Sequence, residues 1–212
     1  MRREKIAGRL VSVLENRYGK SILEKKDDPF KVLISCVISQ RTREENTDEA
    51  SARLFSVADT PREIAALPTA KIAKLIKKAG FAKQKAERIK KIARILLEKH
   101  GGAVPACREA LMELPGVGPK TADVTLCYGF GIPAIPVDTH VNRISRRLGL
   151  VPETAKIEEV GPALKKIFPK NRWRLINRGL VLFGREVCRP RYPKCDICEL
   201  RRVCPNRKKS AG

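Results

Sequence analysis

Apolar residues recur along this chain at intervals of three and four, the spacing that places them on one face of an α-helix. Over residues 5–17 these positions are Ile6, Leu10, Val13 and Leu14. Asp27-Asp28-Pro29 then opens a segment, 30–39, that is apolar on almost every side. Pro29 suits the first helical turn, so the pattern predicts a central buried helix. Residues 42–54 read as a helix, and Thr60-Pro61 starts a short one. Pro68-Thr69 precedes a helix over 71–79, with Ile72, Leu75, Ile76 and Ala79 on one face and Gly80 as its stop. A helix over 83–99 turns Ile89, Ile92, Ala93 and Leu96 inward and ends at Gly101-Gly102. There follow a short helix over 108–113, a tight turn, a helix over 120–128 and a Gly/Pro-rich stretch over 129–136. Helices over 139–148, 157–168 and 173–185 complete the pattern. Two-residue alternation is weak throughout, so no β-hairpin is expected and the class is all-α. The 129–136 stretch is the expected domain boundary. Two joints echo each other: Gly80-Phe81-Ala82-Lys83-Gln84-Lys85-Ala86 and Gly116-Val117-Gly118-Pro119-Lys120-Thr121-Ala122.

Charge narrows the class. The 212 residues carry 45 Lys and Arg against 23 Asp and Glu, a net charge of +22, which points to a polyanion and above all to nucleic acid. The alternative is a solvated basic surface with no partner. Aromatic residues are only 5% of the chain, too few to favour a platform that stacks single-stranded bases. An apolar fraction of 42% excludes wholesale disorder. No apolar run approaches the roughly 20 residues of a membrane span, and Met1-Arg2-Arg3-Glu4-Lys5 is not the start of a signal peptide. The expectation is a soluble intracellular protein.

The sharpest local signal is Leu114-Pro115-Gly116-Val117-Gly118-Pro119-Lys120-Thr121-Ala122. Two glycines two apart allow a very tight turn, and Pro119 suits the first turn of the next helix. Such a turn points backbone N–H groups outward with no Cβ in the way at Gly116 or Gly118. A phosphate can approach them, and Val117 lies between. These contacts would hold DNA without reading its sequence. Lys120 then stands at the start of a helix, where a lysine can be a phosphate contact or simply solvated. Asp138 follows Pro136-Val137 and is a good N-cap for the helix at Thr139. A second role is geometrically open to it. The helix from 120 runs out about 12–14 Å, and the extended return can cover ~3.3 Å per residue, so Asp138 can come back to Lys120.

There are seven cysteines. Cys36, Cys107 and Cys127 lie in or beside apolar stretches and read as inert core residues. Cys188, Cys195, Cys198 and Cys204 fall within 17 residues. Four clustered thiols, an odd total and no signal peptide argue for a metal centre rather than disulfides. Zinc or a [4Fe–4S] cluster would satisfy four thiolates. Structural zinc usually pairs two short knuckles, whereas here only Cys195-Asp196-Ile197-Cys198 is one, so the spacing favours iron–sulfur. Arg189, Arg191 and Lys194 lie in the first interval and could hold DNA backbone.

The 114–122 run, the segment Val137-Asp138-Thr139-His140 and the cysteine spacing together resemble endonuclease III, within the helix-hairpin-helix DNA glycosylases, over residues 4–206. The resemblance implies two helical domains with a DNA-binding cleft between them. One, over 23–132, has six helices and the hairpin. The other, 1–22 with 133–212, carries the four-cysteine loop and its [4Fe–4S] cluster. Lys120 corresponds to the family's nucleophile and Asp138 to its catalytic aspartate. The implied activity is base excision repair: removal of oxidised pyrimidines from duplex DNA and cleavage at abasic sites. His140 falls in the segment expected near the cleft, as a DNA contact. Ser39-Gln40-Arg41-Thr42 resembles the family's Gln-x-Thr stretch, whose Gln fills the gap left by a flipped base. Gln40 is therefore favoured over Arg41, although Arg43-Glu44 stands where an aspartate usually follows the Thr. A monomer acting on double-stranded DNA, with no membrane partner, in the cytoplasm with the nucleoid, is implied as well.

The residue types suit that chemistry. As a base leaves C1′, positive charge develops on the sugar, which a carboxylate stabilises. A neutral lysine amine can attack C1′ and form a Schiff base, whose acidified C2′ hydrogens permit β-elimination. Lysine ordinarily titrates near about 10.4, so burial or basic neighbours are expected to bring the amine down. The target base must leave the stack to be reached. Two alternatives stand beside this reading. Mismatch or adenine glycosylases of the same superfamily lack the hairpin lysine. A non-catalytic iron–sulfur DNA-binding module gives no reason for Lys120 and Asp138 to occur together.

Overall fold

A computed structural model describes residues 2–23 and 27–207. Residues 1, 24–26 and 208–212, which the expected domain ranges include, lie outside the described residues. Among the described residues there is no strand, and no helix is long and apolar enough to cross a membrane. The helices fall into two compact units, one within Met1–Lys25 and Pro133–Gly212, the other within Lys26–Ile132.

The second unit is built around α2 (Pro29–Ser39). Asp28 caps it by accepting from the Lys31 amide at 2.9 Å, and Pro29 begins it. Phe30, Leu33, Ile34, Val37 and Ile38 are buried because other helices surround α2 on most sides. Each such side chain contributes about 1.5–3 kcal/mol of transfer free energy. Next come α3 (Glu44–Phe55), α4 (Pro61–Ala66), α5 (Thr69–Leu75) and α6 (Ala82–His100). The start of α3 lies two residues later than the 42–54 periodicity suggests, because Arg41 takes a left-handed φ of +53° and breaks the path out of α2. A reciprocal pair of bonds between Thr60 and Glu63 caps α4. The face predicted over 71–79 is split. α5 ends at Leu75, a 3-10 turn covers Lys77–Ala79, and Gly80 at φ +66° reverses the chain. α6 ends at Gly101, also left-handed, as expected.

α7 (Arg108–Met112) and α8 (Pro119–Val124) form the hairpin. The helix expected over 120–128 does not stay α-helical. From Thr125 to Phe130 it widens into a π-helix. Thr125 donates to the Thr121 carbonyl at 2.9 Å, and Gly129 lies so close to α2 that a Cβ there would sit 2.7 Å from Pro29 Cα. Periodicity could not show this, since the apolar face continues across the change of register.

The first unit pairs α1 (Arg2–Leu23) with α11 (Trp173–Glu186), and adds α9 (Thr139–Arg147), α10 (Ile157–Ile167) and the cysteine loop. Gly179 allows the close packing of α1 on α11, since a Cβ would meet Leu14 Cδ1 at 2.9 Å. Leu10, Leu14, Leu175, Ile176 and Leu180 fill that contact. Tyr18 of α1 donates to Glu186 at 2.6 Å, and Arg17 pairs with Glu199 of the cysteine loop at 2.6 Å. Of the three scattered cysteines, Cys127 is in the core and Cys36 partly covered, but Cys107 is exposed, with its thiol on Glu109 at 3.0 Å. The expectation of a core role fails for Cys107 because its apolar neighbours form a surface connection, not a helix face.

Candidate functional site

In the hairpin the two glycines do different things. Gly116 adopts φ +75°, and a Cβ there would collide with Cδ, Nε and Cζ of Arg88 from α6. Gly118 is extended, at φ −97° and ψ −179°, and a Cβ would meet nothing within 4 Å. Gly116 is thus required by the turn, while Gly118 leaves the surface open. Val117 faces inward: its side chain is buried and its N–H bonds to the Leu114 carbonyl at 3.1 Å. The Val117 N–H is thus taken up within the turn, while Gly118 leaves its surface open. An Arg108–Asp123 ion pair at 3.0 Å ties α7 to α8. Lys120, the second residue of α8, is exposed rather than buried. Its charge is felt by Cys36 on α2, where burial pushes the thiol up to about 11 and Lys120 opposes the shift.

Gln40 is brought to the same hairpin. It ends α2, donates from Nε2 to the Gly116 carbonyl at 2.9 Å and accepts at Oε1 from Arg88 at 2.6 Å. Arg41 beside it is exposed. The backbone around this turn is held by a lysine that the sequence reading did not single out. Lys85 is 3% exposed and donates to the Ile38 carbonyl at 2.6 Å, to Thr42 Oγ1 at 2.6 Å and to the Ala79 carbonyl at 2.9 Å. Burial, and secondarily Arg88, pushes this amine down to about 8. A buried lysine three residues before Arg88 in a basic helix gives no signal in the sequence, since most lysines in such a helix are solvated.

In the other unit Asp138 caps α9 and accepts from the Val141 N–H at 2.8 Å. One carboxylate oxygen is engaged there, and Asp138 is half-buried. His140 lies one step further on. Burial pushes its imidazole down; Asp138 opposes this, while Arg143 and Arg185 reinforce it. Its Nδ1 is 3.1 Å from Arg143 Nη2. The same Arg143 nitrogen reaches the carbonyls of Gly184 at 3.2 Å and Cys188 at 2.9 Å. α9 is thereby fastened to the cysteine loop. This residue also escaped the sequence reading, as an arginine on an amphipathic helix is ordinarily a surface charge.

Cys188, Cys195, Cys198 and Cys204 line one cavity, closed on the protein side by Ile144 and Phe183. Arg147 brackets the loop. Its Nη1 lies 3.5 Å from Cys188 Sγ and 2.7 Å from the Arg189 carbonyl, and Nη2 donates to the Pro190 carbonyl at 2.9 Å. Its own carbonyl takes Cys204 Sγ at 3.7 Å and Asn206 at 3.3 Å. Burial, with the other three cysteines adding to it, pushes the Cys198 thiol up to about 11, and Cys204 moves the same way. A bound metal would reverse the shifts at Cys198 and Cys204. Among the described residues, no three His, Cys, Asp or Glu groups converge on one point as a single ion requires. Arg189, Arg191, Tyr192 and Lys194 are exposed on the first interval of the loop, Tyr192 at φ +50°.

Comparison with known proteins gives a consistent result. The family model described as HhH-GPD superfamily base excision DNA repair protein matches residues 34–170. The chain is 53% identical over 180 residues to endonuclease III of Thermotoga maritima, covering 85% of this chain and 84% of that protein. Among solved structures, a trapped endonuclease III–DNA covalent intermediate, the estranged-adenine complex, superposes with a TM-score of 0.88. It is 34% identical and covers 96% of both chains. A thermostable thymine-DNA glycosylase gives 0.84 at 27% identity, covering 97% of this chain and 96% of that one.

Proposed function

This chain belongs to the endonuclease III family of helix-hairpin-helix base excision repair proteins, and from that premise we propose how its own residues carry out the reaction. The protein is a DNA glycosylase and abasic-site lyase acting on duplex DNA. Its substrate in our reading is an oxidised pyrimidine. Gly118 and the start of α8 receive a phosphate, and Gln40 fills the gap left by the flipped base. Lys120 Nζ attacks C1′, the C1′–N bond breaks, and the base leaves with the bonding pair and takes up a proton. The resulting N,O-acetal opens to a Schiff base as the C1′–O4′ bond breaks and O4′ takes up a proton, C2′ loses a proton, and the C3′–O3′ bond breaks on the 3′ side. Asp138 supplies negative charge for the sugar cation through the oxygen that does not cap α9. His140, Arg189 and Lys194 contact DNA from their own unit, and Arg41 is the second candidate for the gap.

The observation that carries this reading is an exposed lysine in the first turn of a helix that opens at an unobstructed glycine. Mismatch enzymes of the same superfamily lack that lysine. The four cysteines fit a [4Fe–4S] cluster better than zinc. The four cysteines line one cavity, and only Cys195 and Cys198 form the short knuckle that structural zinc usually pairs. Such a cluster, when bound, cross-links a loop that has little core of its own. In our reading the enzyme works at the nucleoid, where its duplex substrate is. The test is a duplex carrying one oxidised pyrimidine. Free base and a nick 3′ to the lesion are expected together, and base release without a nick contradicts the bifunctional reading.

A further inference from the structure

α6 reaches the gap-filling turn twice. Lys85 holds the Ile38 carbonyl before Gln40 and the Thr42 hydroxyl after it, and Arg88, one turn later, holds the Gln40 side chain. The carboxamide of Gln40 sits between two partners of opposite kind. The Arg88 guanidinium only donates, and the Gly116 carbonyl only accepts. Oε1 must therefore face Arg88 and Nε2 must face Gly116. The reverse orientation would set an amide N–H against the guanidinium and one oxygen against another. Gly116 makes room for this, since any Cβ would push Arg88 off its line.

We propose that Arg88 is a positioning residue that locks the Gln40 carboxamide in one orientation and so sets which base opposite the lesion is accommodated. The inference rests on the reading of Gln40 as the gap filler. With one N–H and one lone pair already used, the locked amide has one donor and one acceptor left, in a fixed order. Adenine and guanine present a donor and an acceptor on their pairing edges in opposite orders. A carboxamide free to flip can serve both; a locked one serves one of them better. The lock also ties the gap filler to the hairpin turn.

The test compares excision of the same lesion opposite adenine and opposite guanine. The wild-type protein should show a ratio at least about fivefold from unity. Arg88→Met keeps the aliphatic stem and removes the donors. It should lower excision opposite the favoured purine about tenfold, the worth of one charge-assisted hydrogen bond, and bring the ratio near one. Arg88→Gln, which both donates and accepts, should collapse the ratio with a smaller loss of rate, and serves if the Met variant folds poorly. In a Gln40→Ala background Arg88→Met should add less than about twofold, because its effect passes through Gln40. A wild-type ratio near one, an unchanged ratio in both Arg88 variants, or multiplicative losses in the double variant would each overturn the inference. If Gln40→Ala alone keeps wild-type excision and ratio, the gap-filler reading fails and the inference with it. A damaging Gln40→Ala with a silent Arg88→Met removes only the inference.

Discussion

The hairpin unit and the cysteine-loop unit hold their functional residues by different means. In the hairpin unit the site is fixed by ordinary packing: a left-handed glycine, a buried lysine with three oxygen partners, and an arginine laid across the turn. In the other unit the residues from 188 to 204 form turns and bends without a helix, and Arg143 and Arg147 hold them through backbone carbonyls. The first arrangement is complete without a cofactor. The second has a thiol-lined, mostly apolar cavity that a metal centre would finish. Chemistry in the hairpin unit should therefore be sensitive to single atoms, and the loop should be sensitive to loss of its ligands.

A large effect is expected at Asp138, which sits at the α9 cap of the cysteine-loop unit, outside the loop itself. Asp138→Asn keeps the bond to the Val141 N–H, since Asn caps about as well as Asp, so the fold should survive. Loss of the charge should lower base excision at least ~10²-fold, as for other electrostatic stabilisers. If Asp138 were only a cap, Asp138→Asn would be nearly silent and Asp138→Ala would cost about 1 kcal/mol of stability and little activity. Next is the loop. Cys198→Ser, or chelation of the proposed cluster, should deprotect amides over 188–204 in hydrogen exchange and reduce soluble protein, while amides of α2 and α6 stay protected. Equal deprotection of both units would erase the contrast drawn here.

The two glycines sharpen the comparison within the hairpin. Gly116→Ala meets both the left-handed φ and Arg88, so it should cost about 1–3 kcal/mol in stability. Gly118→Ala meets neither, so it should leave the melting temperature within about 2 °C and weaken DNA binding by obstructing phosphate approach. A destabilised Gly118→Ala with normal binding would reverse these assignments. Lys194→Glu is a smaller probe of the loop. Duplex affinity should fall, and the slope against log salt should flatten by about one unit or more if Lys194 neutralises a phosphate.

The smallest effect concerns the clasp of α1 on α11. Burial, and then the Glu186 carboxylate, raises the Tyr18 phenol to about 12. The folded state thus keeps a proton that the unfolded chain loses near about pH 10. The contribution is complete below pH 10 and is lost as pH rises toward 12. Denaturant midpoints at pH 9 and 11 should fall further for the wild type than for Tyr18→Phe. Equal falls would remove Tyr18 from the account.

The sequence was most legible where a signal is local. The caps at Asp28 and Thr60, the apolar face of α6 and the Gly116–Gly118 turn each follow from a few neighbouring residues, and the helices follow from their period. Three kinds of feature were hidden. The π-helical stretch over 125–130 keeps its apolar face while its hydrogen bonds change partner. The break at Arg41 is made by a left-handed non-glycine residue, for which propensity gives no warning. Lys85, Arg88, Arg143 and Arg147 act through contacts with residues 40 or more positions away, in a chain so basic that further cations carry no information. The inward turn of Val117, with its N–H bonded inside the turn, was hidden too, because it depends on tertiary packing.

The account's central claim is that Lys120 is the nucleophile. Borohydride reduction of the protein with duplex DNA containing an abasic site should trap a covalent adduct, and peptide mass analysis should place it on Lys120. Lys120→Gln should still bind damaged duplex but give no adduct and no strand cleavage. Robust trapping by folded Lys120→Gln, on whatever other amine, would contradict the assignment.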